Sequence, residues 1–374
     1  MKITFILPPV DMSGGIKVIA IYAEALQNNG HEVVLISPPP PRLPLYDRFH
    51  SLAHGHGWPK YSAHSPSHLD DRNLDHRLLE SYRKPTDDDV PDADIIIATW
   101  WETAEWINEL NASKGARAYF IQHHEVRPYF PVDNDRPSFL LPFHKITISK
   151  WLVDVMQNQY GDPVVDCITN SVDFKQFHAP ERGKQKRPTV GFMYSHAWFK
   201  GIDVSLAALL SVKQRIPDLR VICFGSNKPG EAHPIPDDFE FHFSPAQDSL
   251  RDIYAQCDLW LCGSRAEGFH LPPMEAMACR TPVVSTKVGG PMDIIESGVN
   301  GELVEVEDVE ALADATERVL NLSEEEWLQL SKRSFQTVSN YSWDDAAGQF
   351  EQALKHACRR AAADEIAGRC EISA

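Results

Sequence analysis

Residues 258–290 constrain the fold of this chain more than any other stretch, because a strand, a glycine loop, a helix and a second strand follow one another there without interruption. The apolar run 258–262 has the composition of a buried strand. Pro272 and Pro273 suit the first turn of a helix, which continues through 274–279 until Arg280, Thr281 and Pro282 end it. Residues 283–285 supply the second strand. A strand that leads through a glycine loop into a helix presents unpaired helix-start N–H groups at the carboxyl edge of a sheet, where they attract phosphate. Gly268, Phe269, His270 and Leu271 would supply those amides. Glu267 precedes the helix and Glu275 lies in its first turn, flanking that position. Carboxylates repel phosphate oxygens and suit sugar and ribose hydroxyls, and Glu275 is also favoured by the positive end of the helix.

The order Glu267-Gly-Phe-His-Leu-Pro-Pro-Met-Glu275, with Gly289-Gly290 downstream, resembles the signature of the retaining nucleotide-sugar glycosyltransferases of family 4 (glycosyl transferases group 1). The resemblance implies an α/β GT-B fold, with two Rossmann-like domains facing across a cleft and a C-terminal helix that crosses back to the first. It implies no cofactor and no metal, the nucleotide sugar being the donor substrate. Glu275 would bind ribose hydroxyls, Glu267 would lie beside the donor sugar, and the amides of Phe269 to Leu271 would hold the diphosphate. His270 stands where the family commonly has Gly, and either adds a side-chain contact or is merely tolerated.

A chain of 374 residues is long for one core and comfortable for two domains. The expected division is 1–175, with an irregular insertion at about 38–91, then 188–342, then a returning helical segment 343–374. Composition is that of a soluble globular protein, and no apolar run approaches the roughly 20 residues of a membrane span. Peripheral membrane contact stays open. The start of the sequence reads as a strand rather than a leader, which points to the cytoplasm. Seven cysteines without a CxxC pair suggest neither a disulfide framework nor a zinc site. A net charge of −17 disfavours nucleic acid, whereas a nucleotide sugar needs only a few local cations.

In the N-terminal half, residues 2–7 read as a strand and 14–27 as a helix, opening a Rossmann-like unit. Gly14 and Gly15 at the junction allow close approach of a phosphate or sugar, or simply a tight entry turn. The full GxGxxG of a dinucleotide enzyme is missing. A proline run begins a His-rich stretch carrying His50, His54, His56, His64, His68 and His76, without ligand spacing for a metal. Asp92 and Asp94 read as a strand-edge turn. The strand 116–122 ends in His123, His124 and Glu125, where side chains face the ligand crevice of a parallel sheet. With Phe130, this segment resembles the loop of a rhamnosyltransferase-like branch of the family, and His123 ranks above His124 because it is nearer the strand end.

Residues 170–173, Asn-Ser-Val-Asp, resemble a family motif that usually has Gly at the second position. The basic stretch 181–188 reads as an exposed interdomain linker. Strand 189–194 and helix 201–215 then open the second domain, and Lys200 at their junction matches the family's diphosphate-binding lysine. The family's second cation is missing where this chain has Gly191-Phe192, and Arg265 is its candidate replacement. The catalytic candidates are therefore His123, Lys200 and Glu267.

The resemblance points to transfer of a hexosyl or deoxyhexosyl group from a nucleoside-diphosphate sugar to a glycan, lipid-linked or small-molecule acceptor, in glycan or polysaccharide biosynthesis. A GT-B nucleotide-sugar epimerase and a non-catalytic carbohydrate-binding subunit are the alternatives.

Overall fold

The computed structural model describes residues 1–42, 65–124 and 136–370, and the chain divides into two compact units. Unit 1 comprises Met1–Thr147, Val153–Ile168 and Ala347–Ala374, and unit 2 comprises Ile148–Leu152 and Thr169–Ala346.

Among the described residues, unit 1 is built on seven strands: β1 (Lys2–Ile6), β2 (Glu32–Ser37), β3 (Asp75–Leu78), β4 (Ile95–Ala98), β5 (Ala116–Ile121), β6 (His144–Thr147) and β7 (Val165–Cys167). They run parallel in the order β3-β2-β1-β4-β5-β6-β7. Strands buried on both faces need continuous apolar sequence, and the Ile95–Ala98 run is buried throughout. The helix Gly14–Asn28 buries Ile16, Ile19, Ala23 and Leu26, the positions its helical spacing predicts. The last helix, Trp343–Ala362, starts in unit 2 and returns to unit 1, where Phe350 stacks on Tyr22 at 4.4 Å and meets Phe120 edge-on at 5.1 Å.

One expectation fails here. The insertion at 38–91 is not irregular throughout, because β3 lies within it and pairs with β2 from Val34↔Asp75 to Ser37↔Leu78. Its sequence, DHRL, lacks an apolar pattern because β3 is an edge strand. Pairing comes from the backbone and from His76 Nε2 against Ser37 Oγ at 2.8 Å.

Unit 2 has six parallel strands, β8 (Thr189–Met193), β9 (Arg220–Gly225), β10 (Glu240–Phe243), β11 (Leu259–Cys262), β12 (Val283–Thr286) and β13 (Glu302–Val304). Their order is β10-β9-β8-β11-β12-β13. In each sheet the order reverses once, between β1 and β4 and between β8 and β11. A reversal opens a crevice at the carboxyl ends of the two strands, which is where such sheets bind ligands.

The basic stretch 181–188 is not the exposed linker that its composition suggests. Arg182 stacks on Trp327 at 4.9 Å and bonds Thr281 Oγ1 at 2.8 Å, while Lys184 Nζ donates to the carbonyls of Leu320 and Leu322, both at 2.7 Å. Leu320 ends the helix Val309–Leu320 and Leu322 lies two residues beyond it, where a cation satisfies orphan acceptors. The segment is a strap on unit 2.

Candidate active site

The reversal in unit 2 positions the candidate residues. After β8 the chain makes a short 3-10 turn, Trp198–Lys200, and enters the helix Ile202–Arg215 through Gly201. Gly201 has a φ of +56°, and a Cβ there would lie 1.9 Å from the Gly263 carbonyl oxygen. That close approach brings the β8 loop against the β11 loop. The N–H of Arg265 donates to Phe199 O at 2.7 Å and stitches the two together.

Lys200 Nζ sits 2.9 Å from each carboxylate oxygen of Glu267, and Ser264 Oγ donates to Oε1 at 2.8 Å. The Glu267 side chain is 6% exposed, so it is not the solvated loop residue that an acid beside a glycine would ordinarily be. Burial alone would raise its pKa, but His270, Lys200 and the bonds from Lys200 and Ser264 hold it below the usual carboxylate range. Burial pushes His270 down to about 4, so its imidazole is neutral at pH 7 and Lys200 is the cation that matters there. His270 Nε2 lies 3.6 Å from Glu267 Oε1, and its buried Nδ1 has no hydrogen-bond partner among the described residues.

His270 caps the helix Leu271–Ala278 in the left-handed region, at φ 74°. Pro272 and Pro273 have no N–H. The helix start therefore offers the amides of Phe269, His270 and Leu271, which among the described residues make no hydrogen bond. Gly290 N donates to Phe269 O at 2.8 Å, and a Cβ on Gly289, at φ +43°, would lie 2.7 Å from Glu267 O. The downstream Gly-Gly is thus explained by backbone packed on backbone under residues 267–269.

Glu275 is buried, and its Oε2 accepts from Tyr254 Oη at 2.8 Å. Tyr254 packs on Trp260 at 4.4 Å and edge-on to Phe224, behind the ends of β9 and β11. The sequence reading missed Tyr254, since a tyrosine in the short helix Leu250–Ala255 carries no signal of its partner.

Arg265 is not left as a free cation for a diphosphate. Its guanidinium donates to both oxygens of Asp203, at 2.8 and 2.6 Å, to Glu307 at 2.8 Å and to Trp198 O at 3.0 Å. Two carboxylates already meet its charge. Phe192 is 1% exposed, so the position of the family's other cation is core in this chain. Ser171 does not occupy the left-handed region and donates to Tyr341 O at 2.7 Å, so the turn at 170–173 needs no glycine.

In unit 1, Gly14 and Gly15 open the helix after β1, and Gln122 beyond β5 donates to Gly15 O at 3.2 Å. A Cβ on Gly14 would meet nothing within 4 Å, and neither glycine has a positive φ. Neither packing nor backbone conformation therefore requires glycine at these two positions. His123 follows Gln122 and is half-buried. His124 is buried, with Nε2 2.9 Å from Tyr160 Oη and its ring beside Phe139. Packing thus accounts for His124 and leaves His123 as the site candidate. Glu125 and Phe130 lie outside the described residues.

Of the histidine-rich stretch, His50, His54, His56 and His64 also lie outside the described residues. His68 bonds Met12 O at 3.1 Å and His76 bonds Ser37, and among the described residues neither joins a cluster of ligands. Asp92 binds Ser113 and Lys114, and Asp94 accepts from Lys2 N, as strand-edge residues do. No helix of the described residues is long and apolar enough to cross a membrane.

Residues 173–336 match the family model described as glycosyl transferases group 1. Among curated proteins, the chain is 29% identical over 180 residues to a D-inositol 3-phosphate glycosyltransferase of Corynebacterium urealyticum, covering 44% of this chain and 42% of the relative. It is 36% identical over 96 residues to an N-acetyl-alpha-D-glucosaminyl L-malate synthase of Bacillus anthracis, covering 26% of this chain and 25% of the relative. The chain thus spans less than half the length of these curated relatives. Solved structures agree over nearly the whole chain. HepE of Anabaena, in complex with UDP and glucose, superposes with a TM-score of 0.70 at 17% identity, over 95% of this chain and 100% of that one. TarM of S. aureus gives 0.71 at 13% identity, over 95% and 100%. Residues 173–336 therefore resemble the glycosyl transferases group 1 in sequence, within a chain whose two Rossmann-like units have the GT-B fold.

Proposed function

We propose that this chain transfers a hexosyl or deoxyhexosyl group from a nucleoside-diphosphate sugar to an acceptor hydroxyl, with retention of anomeric configuration and without a metal. The observation that carries this reading is the grouping of Lys200, Glu267 and three open amides at the strand-order reversal of unit 2. In this reading the amides of Phe269, His270 and Leu271 and the Lys200 ammonium take the diphosphate. Glu275 accepts from ribose hydroxyls and Glu267 lies beside the donor sugar. Charge that grows on the departing diphosphate is met by fixed donors, which lowers the barrier more than it strengthens ground-state binding. In unit 1, His123 with Gly14 and Gly15 serves the same reaction, His123 as a catalytic residue and the glycines by close approach to the ligand.

Several likenesses support the substrate classes. HepE was solved with UDP and with UDP-glucose, so UDP is the first nucleotide to try. The names of the curated relatives favour small-molecule hydroxyl acceptors among the acceptor classes. The rhamnosyltransferase-like loop at 119–125 adds deoxyhexoses to the donors. A cytoplasmic setting, where nucleotide sugars are made, fits such an enzyme.

The test is a panel of UDP-, GDP- and dTDP-sugars against these acceptors, with and without EDTA, followed by proton NMR of the anomeric signal in early product. Retention that survives EDTA is expected. Inversion overturns the family 4 mechanism, and loss of activity restored by magnesium or manganese overturns metal independence. Conversion of the donor sugar without an acceptor product makes the chain an epimerase. Donor binding without turnover makes it a carbohydrate-binding subunit.

A further inference from the structure

Unit 1 carries a second cluster of functional side chains that the transfer reading does not use. His144 opens β6, Asp166 lies in the neighbouring β7, and His356 comes from the helix Trp343–Ala362. Asp166 Oδ2 lies 2.9 Å from His144 Nε2 and 3.1 Å from His356 Nδ1, and the three atoms lie within 4.8 Å of one another. His144 is fully buried, whereas Asp166 and His356 are about one-third exposed. Those two line a cavity of about 390 Å³ with Gln349, Gln352 and Arg359.

We propose that His144, Asp166 and His356 bind a first-row divalent transition-metal ion, zinc foremost, with the cavity supplying its open coordination position. Two imidazoles and one carboxylate are the donor set such ions take, whereas magnesium and calcium prefer oxygen alone. Zinc holds these donors at about 2.0 to 2.2 Å, which sets neighbouring ligand atoms about 3.3 Å apart in a tetrahedron. Two of the three separations fall a few tenths short of that, whereas the two imidazole nitrogens are separated by up to 4.8 Å, so an ion enters by replacing the two hydrogen bonds and drawing His144 and His356 together by up to about 1.5 Å. Burial also keeps His144 neutral, the form that ligates.

Arg360 opposes the ion. Its Nη1 lies 3.2 Å from His144 Nδ1, which accepts, so His144 carries its proton on Nε2 and donates it to Asp166. When a metal takes Nε2, that proton moves to Nδ1, and Arg360 must turn away from it. Its Nε already bonds Glu365 at 3.1 Å, which gives it a resting place. The proton stays on the ring throughout, and no other reactant is needed.

The experiment is calorimetric titration of the full-length protein, first stripped with chelator, with zinc chloride and in parallel with magnesium chloride. One equivalent of zinc binding at micromolar Kd or tighter is expected, with no magnesium heat and a raised Tm. His356→Ala and Asp166→Asn should each weaken zinc at least tenfold while keeping the chelator-treated Tm near that of the parent. Arg360→Ala should tighten it. Absence of stoichiometric binding overturns the proposal, as does binding unchanged in His356→Ala, which would place the zinc on other histidines or cysteines. Weaker binding in Arg360→Ala would also overturn it, by showing that the four side chains are only a hydrogen-bonded brace.

Discussion

The Lys200 ammonium lies 2.9 Å from both oxygens of the Glu267 carboxylate, a pair in which the acid is nearly buried and the lysine is about one-fifth exposed. In the proposed reading, a diphosphate at this site would compete with Glu267 for the same cation.

Removing the lysine should strand the acid. Breaking a buried pair costs up to about 3 to 5 kcal/mol, and the partial exposure of Lys200 places Lys200→Ala at or below the lower end. Urea denaturation should show that loss, and Lys200→Ala combined with Glu267→Gln should recover most of it. If the single variant is as stable as the parent, the pair does not hold the loops. In single-turnover assays, Lys200→Ala should lower the transfer rate more than donor affinity, because leaving-group charge grows toward the transition state.

Glu275 gives a second measurable effect. If Glu275 accepts from ribose hydroxyls as proposed, Glu275→Ala should weaken binding of the free nucleoside diphosphate by about 1.5 to 3 kcal/mol, the range for hydrogen bonds to charged groups. Tyr254→Phe removes the hydroxyl that orients one oxygen and should weaken binding less. Calorimetry with UDP and GDP decides, and unchanged affinity in folded Glu275→Ala takes this residue out of the site.

His270 predicts a pH dependence. Its folded pKa of about 4 lies below the ordinary 6.5, so the unfolded chain takes up a proton first as pH falls. The stability associated with the neutral ring is complete above pH 6.5 and is lost on the way to pH 4. The loss is on the order of 3 kcal/mol. His270→Gly should flatten that slope, and Gly also suits the φ of 74°. An unaltered difference between denaturation curves at pH 7 and pH 5 would show that other groups set the acid limit.

Arg182 tests the strap. Arg182→Ala removes the stacking on Trp327 and the bond to Thr281, and should cost about 2 to 3 kcal/mol in denaturant. A cost under about 0.5 kcal/mol would restore the reading of 181–188 as a solvated linker.

Much of this was legible in sequence, for reasons the structure makes plain. Buried parallel strands leave apolar runs, and the helix start at 271 announces itself through two prolines and the glycines that its loop requires. What stayed hidden depended on partners far away in the chain. The strand Asp75–Leu78 is polar because it lies at an edge, and Arg182 and Lys184 look solvated until Trp327 and the end of the helix Val309–Leu320 are beside them. His144, Asp166 and His356 are scattered over most of the chain, and no local spacing could join them.

The returning helix has a consequence for dissecting the molecule. Unit 1 is discontinuous along the chain, and Phe350 completes an aromatic cluster with Tyr22 and Phe120. A gene truncated after residue 168 would encode that layer without its final aromatic ring and would expose apolar surface to aggregation. Residues 169–346 hold nearly all of unit 2 in one piece. Separate expression of the halves is therefore an asymmetric task, in which the later segment can be cut out directly and the earlier one needs its distant tail grafted back.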